Sequence, residues 1–423
     1  MFEFLFKGLI RDKSRSLLPV IVVGLGVSLS VFFVGYMKGA LGDVIEMNAR
    51  FGTGHVKVMT REYIKNISQK PLDLSIYDAS DVIADLEDKF PTMDWVKRVS
   101  FGGILDVPNE QGQTKTQGIA GGLAFDMSEN SSDLKRMKLK ESIKKGRLPN
   151  APFEILLGEG LAKRMKVKLG DNITYFGTTM DGSMSFQNFK FVGTIGFGTS
   201  VLDDKTFIIS LKDAEYILDM DDAAQEIFGF LPNDTYDEEK VQEVKTIYNA
   251  SLKVNKDEFA PEMLALRDQN GLAYMLDMSA SMSSIFTVFF IIAMSIVLWN
   301  TGLLGGLRRY TEFGIRIAIG ESKKAIYKSL ILEALVVGVI GSALGTLLGI
   351  LCTYYLQEVG IDISSMMGQS NMIMSNIIRA QVVPQQLWIG FIPGVCATVL
   401  GALLSGRGIF KRQTSTLFNE LGV

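Results

Sequence analysis

Residues 17–36, LLPVIVVGLGVSLSVFFVGY, carry no charged side chain, and a helix of about 20 apolar residues is what the hydrocarbon core of a bilayer requires. Three further stretches are long and apolar: residues 283–304, 330–355, which contains the single charge Glu333, and 387–404. The first follows Lys7, Arg11, Lys13 and Arg15, so a secretory leader and a membrane anchor compete for it. Its apolar run exceeds the roughly 7 to 15 residues of a leader's central region. Gly35-Tyr36-Met37-Lys38 also offers no small-x-small cleavage site, which favours the anchor. The fourth stretch contains Pro393, which a membrane helix tolerates where neighbours re-satisfy the freed carbonyl.

Outward from these stretches the chain is polar. Its 423 residues are 47% hydrophobic, and the mean hydropathy of +0.22 lies between that of a soluble enzyme and that of a chain wholly in lipid. Lys and Arg number 43 against 46 Asp and Glu, a net of −3. The acidic excess lies in the long polar region and the basic excess beside the apolar stretches, a distribution that argues against nucleic-acid binding. Basic residues near membrane ends are retained on the cytoplasmic side. Arg308, Arg309, Arg316, Lys323, Lys324 and Lys328 lie between the second and third stretches, and Arg407, Lys411 and Arg412 follow the fourth. Residues 357–386 hold only Arg379. Both termini are therefore expected inside. The expected order is a cytoplasmic segment 1–16, helix 17–36, an outside domain with stalk 37–280, helix 281–304, a cytoplasmic coupling region 305–325, helix 326–355, a short outside loop 356–386, helix 387–404 and a cytoplasmic tail 405–423.

The outside region is long enough for its own core and reads as mixed α and β. Residues 55–59, 190–195 and 206–209 are strand-like, while 159–165 and 237–250 are helical, and Ser80 is expected to cap a helix over 81–90. Residues 262–282 have helical spacing and are expected to run as a stalk into the second membrane helix.

No G-x-x-x-x-G-K-[ST] loop is present, so ATP hydrolysis is not expected from this chain itself. His55, the single histidine, cannot supply a multi-histidine metal site and reads as structural. Cys352 and Cys396 fall in apolar stretches and read as buried hydrophobes rather than a disulfide or metal site. Asp203 and Asp204 read as a solvated turn, because adjacent carboxylates point apart and acid–base chemistry needs convergence. Residues 219–222 read as a solvated acidic face without the ligand spacing of a calcium loop. No catalytic residue, metal site or bound cofactor is expected.

Two features stand out. Gly338, Gly341, Gly345 and Gly349 recur at three- and four-residue spacing, a small-residue helix face for close packing within or between protomers. In the inside connection, charged positions alternate with Phe313, Ile315, Ile317 and Ile319; a short amphipathic helix under the membrane and a plain surface anchor both fit this pattern. Glu333, the carboxylate inside the third stretch, is expected to face protein with Arg316, Lys328 or an opposite protomer as partner.

Residues 308–349, including Arg309-Tyr310-Thr311-Glu312-Phe313-Gly314-Ile315 and Leu332-Glu333-Ala334-Leu335, resemble the permease module of the MacB/FtsX/LolC-LolE family of ABC transporters. Gly52-Thr53-Gly54-His55-Val56-Lys57-Val58, Leu157-Gly158-Glu159-Gly160-Leu161-Ala162-Lys163-Arg164, Leu169-Gly170-Asp171 and Leu202-Asp203-Asp204 resemble the LolC/LolE-like branch. The tail departs from the family's Asp-Pro-x-x-Ala-Leu ending, having Thr414-Ser415-Thr416-Leu417-Phe418. The resemblance implies an α-helical inner-membrane protein with four transmembrane helices and a large α+β periplasmic domain inserted between helices 1 and 2. It implies a dimer, homomeric or with a paralogous permease, bound to a separate cytoplasmic ABC ATPase that carries ATP and Mg. Arg308, Arg309, Glu312, Phe313 and Arg316 would form the ATPase-coupling region, and a periplasmic carrier or adaptor and membrane lipids would be further partners. Lipoprotein extraction ranks first among its functions, because the efflux branch usually carries its ATPase at the N-terminus. The signalling branch ranks third, since its periplasmic domain is usually much smaller.

Overall fold

Long apolar runs become long helices, the first of them running through Pro19. In the computed structural model, residues 13–109, 111–198, 200–252, 257–269, 271–307, 310–362 and 377–411 are described. Arg308, Arg309, Arg412 and the atypical tail ending lie outside the described residues. Among the described residues, 4 helical segments are long and apolar enough to cross a membrane: Leu17–Thr53, Leu272–Asn300, Lys323–Val359 and Gln386–Arg407. The first helix, Lys13–Asn48, ends in a π turn, Ala49–Thr53, and leaves it through Gly54 at φ 63, a left-handed conformation that suits glycine. Ser322 caps the third helix by accepting from the Ala325 N–H, and Gly360 at φ 72 ends it. The fourth is broken as its proline demands, into Gln386–Ile389, a π turn Ile392–Ala397 holding Pro393, and Thr398–Lys411.

The chain divides into two units. One comprises Met1–Asp43, Asp277–Ile361 and Ile377–Val423; the other is built on Val44–Leu276. In the first, Val23, Val27 and Val31 of helix 1, Leu298 of helix 2, Val337 of helix 3 and Ala397 of helix 4 share one buried cluster. Cys352 and Cys396 are exposed rather than buried. An apolar stretch records that a helix enters the bilayer, not which of its sides meets protein.

The second unit contains ten strands: β1 (Val56–Thr60), β2 (Asp94–Pro108), β3 (Thr114–Phe125), β4 (Ile143–Gly146), β5 (Glu154–Gly158), β6 (Asn172–Thr178), β7 (Met184–Ile195), β8 (Thr206–Ser210), β9 (Glu226–Phe230) and β10 (Pro261–Ala265). The path β2-β3-β8-β5-β7 is closed by β6, which pairs with both β2 and β7. Closure gives a small barrel without free edges, filled by Leu105, Ile155, Tyr175, Phe189 and Phe207. β2 runs on into a second sheet, β10-β1-β9-β2, covered by the helices Ala79–Lys89 and Glu238–Leu252 around Leu86, Val241 and Tyr248.

Three local expectations change. Residues 261–265 form a strand against β1, not the start of a stalk helix, and the second helix begins only at Leu272. Pairing decides this, because Asn249 covers the strand's outer edge by bonding both the N–H and the carbonyl of Met263, at 2.9 and 2.8 Å. Ser80 lies inside the helix Ala79–Lys89 rather than capping it. Asp222, from the acidic run, accepts from Ser80 N at 3.0 Å and Oγ at 2.5 Å. This bonding holds the Asp222 carboxyl below the usual range. Asp203 sits in the helix Ser200–Lys205, not a free turn, and accepts from Phe197 N at 2.7 Å.

His55 is 1% exposed, and its Nδ1 accepts from the Leu231 N–H at 2.9 Å. Burial pushes it down from 6.5 to about 4. A base depressed in the fold contributes stability that is complete above pH 6.5 and withdrawn as pH falls toward 4, about 3 kcal/mol at 1.36 per pH unit. Urea unfolding of the full chain in detergent should therefore show a steeper loss from pH 6.5 to 4 than the same titration of His55→Gln. Equal slopes would mean that the imidazole is not the group that titrates.

Candidate functional site

The connection between the second and third long helices forms a helix, Tyr310–Ala318. Phe313 is 3% exposed and packs with Ile317 on Ile326, Leu330 and Ala334 of helix 3 and Ala402 of helix 4. Arg316 Nη2 bonds Glu312 Oε1 one turn earlier at 2.8 Å, so it is engaged there rather than with Glu333. The four apolar positions do not share a face, since residues two apart on a helix point nearly opposite ways. Ile315 and Ile319 are left outward, at 48% and 82% exposure. The result is a short helix docked by one side on the membrane bundle while its other side offers apolar and charged groups.

The glycine face divides between two neighbours. A Cβ on Gly341 would lie 2.7 Å from Val23 Cγ1 and one on Gly349 2.8 Å from Val31 Cβ, while one on Gly345 would meet the Gly24 carbonyl oxygen of helix 1. A Cβ on Gly338 would meet helix 4 instead, 2.9 Å from Thr398 Oγ1. This packing lies within one chain. Glu333 is half-buried beside Leu330 and Ala334 and lies about 15 Å along a helix that starts at Lys323. Gln386 is a functional candidate that the sequence pattern did not single out. Fully buried, it donates through Nε2 to the Val31 carbonyl at 2.8 Å and to Thr353 Oγ1 at 3.1 Å, joining helices 1, 3 and 4.

In the other unit, the end of helix 1 and the start of helix 2 are rooted together. Ile45 and Ala49 pack with Leu266, Leu272 and Leu276, and Gln269 Nε2 donates to the Thr53 carbonyl at 3.1 Å. Beside this root lies an ionic network. Arg98 grips Asp133 with two bonds, 2.9 Å from Nε and 2.6 Å from Nη2, and donates to the Arg50 carbonyl at 2.6 Å. Arg136 reaches Asp94 at 2.6 Å and Asp234 at 2.8 Å, with its Cζ 3.7 Å from the centre of the Phe230 ring. The network is invisible in sequence because its principal bonds, Arg98 to Asp133, Arg136 to Asp94 and Arg136 to Asp234, span 35, 42 and 98 residues of chain.

The barrel wall carries an exposed apolar row. Ile119 stands opposite Ile104, Ile104 opposite Phe176, and Phe176 opposite Phe186, so one row crosses β3, β2, β6 and β7. Their exposures are 79%, 43%, 40% and 74% in order Ile119, Ile104, Phe176 and Phe186. Gly102 and Gly121 pair on the next row, as do Thr178 and the exposed Met184, which extends the apolar strip. Among the described residues no group of three His, Cys, Asp or Glu side chains could hold a metal ion.

Residues 16–247 match the family model described as MacB-like periplasmic core domain, and residues 284–414 match the one described as FtsX-like permease C-terminal. The chain belongs to the MacB/FtsX/LolC family of ABC-transporter permeases. The membrane-spanning helices and the MacB-type domain make this permease an inner-membrane protein with a periplasmic domain. It is 23% identical over 218 residues to the lipoprotein-releasing system transmembrane protein LolC of Haemophilus influenzae, across 50% of this chain and 52% of LolC. The chain thus spans about half the length of that curated relative. A structure of the periplasmic region of MacB from Actinobacillus actinomycetemcomitans aligns with TM-score 0.32 and 13% identity, over 50% of this chain and 89% of the other.

Proposed function

We propose that this permease works with a separate cytoplasmic ATPase, which carries ATP and Mg, to extract or release a lipoprotein or another lipid-anchored substrate from the outer leaflet of the inner membrane. Both termini would be cytoplasmic. The helix Tyr310–Ala318 would receive the ATPase, and a second permease protomer would complete the complex. The observation that carries the substrate class is the apolar row Ile119, Ile104, Phe176 and Phe186, since a contiguous apolar strip exposed on a polar domain marks an interaction site. Such a strip suits an acylated protein or a carrier handling one. The likeness to LolC, whose name places it in a lipoprotein-releasing system, supports the same class. The rooted ends of helices 1 and 2 would pass motion of the membrane helices into the domain.

The test is lipoprotein release from proteoliposomes containing the permease, its ATPase and an acceptor. Because both rings are exposed, the double substitution Phe176→Asp/Phe186→Asp should leave folding and ATP hydrolysis intact while lowering release at least about tenfold, the equivalent of 1.4 kcal/mol of lost contact. Release at the wild-type rate would remove the row from the mechanism.

A further inference from the structure

A second site lies on the same domain, away from the apolar row, and does not depend on the function proposed above. At one end of the barrel a cavity of about 370 Å³ is bordered by Lys145, Lys163, Lys166 and Lys168, with Phe191 and Thr194 on its β7 side. The one carboxylate there, Glu159, is taken by Lys163 at 2.8 Å, and among the described residues the other three ammonium groups form no ion pair. The apolar wall is completed by Ala162, Val167 and Leu169.

Thr194 indicates what the lysines are for. It is 7% exposed, and its hydroxyl has no hydrogen-bond partner among the described residues. Buried polar groups are almost always paired, so an orphan hydroxyl in the wall of a cavity calls for an explanation. Its direction is set by a bulge. Along β7 the partners of Ile155 and Leu156 jump from Phe191 to Gly193, so Val192 is the extra residue. Phe191 belongs to the barrel core and Val192 and Ile195 to the cluster outside it. The bulge reverses the alternation and brings Thr194 round to the Phe191 side, where both line the cavity. It also pairs Thr194 with Lys145 across β4. Lys166 projects from a left-handed residue, φ 53, that ends the helix Glu159–Met165 at the cavity rim.

We propose that this cavity binds a phosphate group, through the Thr194 hydroxyl and the ammonium groups of Lys145, Lys166 and Lys168, with the apolar wall available to whatever the phosphate is attached to. Lysines serve as point charges for phosphate without the planar geometry that an arginine fork imposes. The phosphate can come from an anionic lipid headgroup or from free phosphate, and the two sources differ in whether the wall is used.

The experiment is calorimetric titration of the full chain in neutral detergent with inorganic phosphate, dihexanoyl phosphatidylglycerol and, as zwitterionic control, dihexanoyl phosphatidylcholine. Saturable binding of the first two is expected, weakening as salt rises. Tighter binding of the phosphatidylglycerol identifies the lipid source, and equal binding the free anion. Thr194→Val keeps the shape and removes the hydroxyl. It should weaken binding about tenfold, the loss of one charge-assisted hydrogen bond, and Lys166→Gln/Lys168→Gln should weaken it further. Without ligand, Thr194→Val should melt at or above the wild-type temperature, because it removes an unpaired buried hydroxyl; a given phosphate concentration should raise Tm less in the variant than in the wild type. The assignment is overturned by binding that survives both variants, by absence of saturable binding, or by a lowered Tm of ligand-free Thr194→Val.

Discussion

Replacing Ile315 and Ile319 by aspartate is expected to weaken association of the partner ATPase by roughly a hundredfold and to abolish ATP-driven release, with membrane insertion unchanged. The magnitude follows from exposure. Both side chains are turned away from the bundle, and burying an isoleucine at an interface is worth about 1.5–3 kcal/mol, so losing the pair removes at least the roughly 2.8 kcal/mol that a hundredfold requires. Arg316→Glu alone should do much less. That guanidinium is held by Glu312 on a partly exposed surface, where an ion pair is worth at most about 1 kcal/mol. Phe313→Ala is the contrasting control, since Phe313 packs inward on Ile326, Leu330 and Ala402; it should loosen the helix itself and lower Tm. Co-purification of the ATPase with each variant separates the cases, and wild-type association of Ile315→Asp/Ile319→Asp would show that the helix only anchors to the membrane surface.

The helix Tyr310–Ala318 also shows where sequence reading stops. Its existence was legible from the charges and apolar residues between the second and third apolar stretches, but alternation along the string is not a face on a helix. Phe313 and Ile317 went inward, and Ile315 and Ile319 did not. The four membrane helices were legible because burial in lipid is decided locally, residue by residue, over some 20 positions. The glycines of helix 3 were legible as a packing face for the same reason, although only the fold assigns Gly341, Gly345 and Gly349 to helix 1 and Gly338 to helix 4. Residues 262–265 have helical spacing yet form a strand, because strand identity there depends on β1 and Asn249. The apolar row escaped notice because each strand contributes one isoleucine or phenylalanine, and only register makes them neighbours. The orphan Thr194 likewise depends on a bulge that no local pattern announces.

The largest effect on stability is expected at Asp133. Its side chain is 1% exposed and binds Arg98 through two hydrogen bonds, with Arg136 Nη1 at 3.5 Å. Removing one member of a buried pair strands the other charge, so Asp133→Ala should destabilise the periplasmic domain by about 3–5 kcal/mol. The companion Arg98→Met/Asp133→Leu replaces the pair with apolar groups of similar bulk beside Phe125, Phe228 and Phe230, which already surround the guanidinium. Such replacement is commonly neutral or stabilising, so most of the loss should be recovered, while Arg136 keeps Asp94 and Asp234. Transport should not recover with it. Arg98 also donates to the Arg50 carbonyl in the π turn that ends helix 1, and methionine cannot restore that tether. A double variant that is stable and releases substrate normally would reduce the network to a structural role. A double variant that is stable but uncoupled, hydrolysing ATP without release, would place the Arg98 tether in the path by which membrane-helix movement reaches the domain.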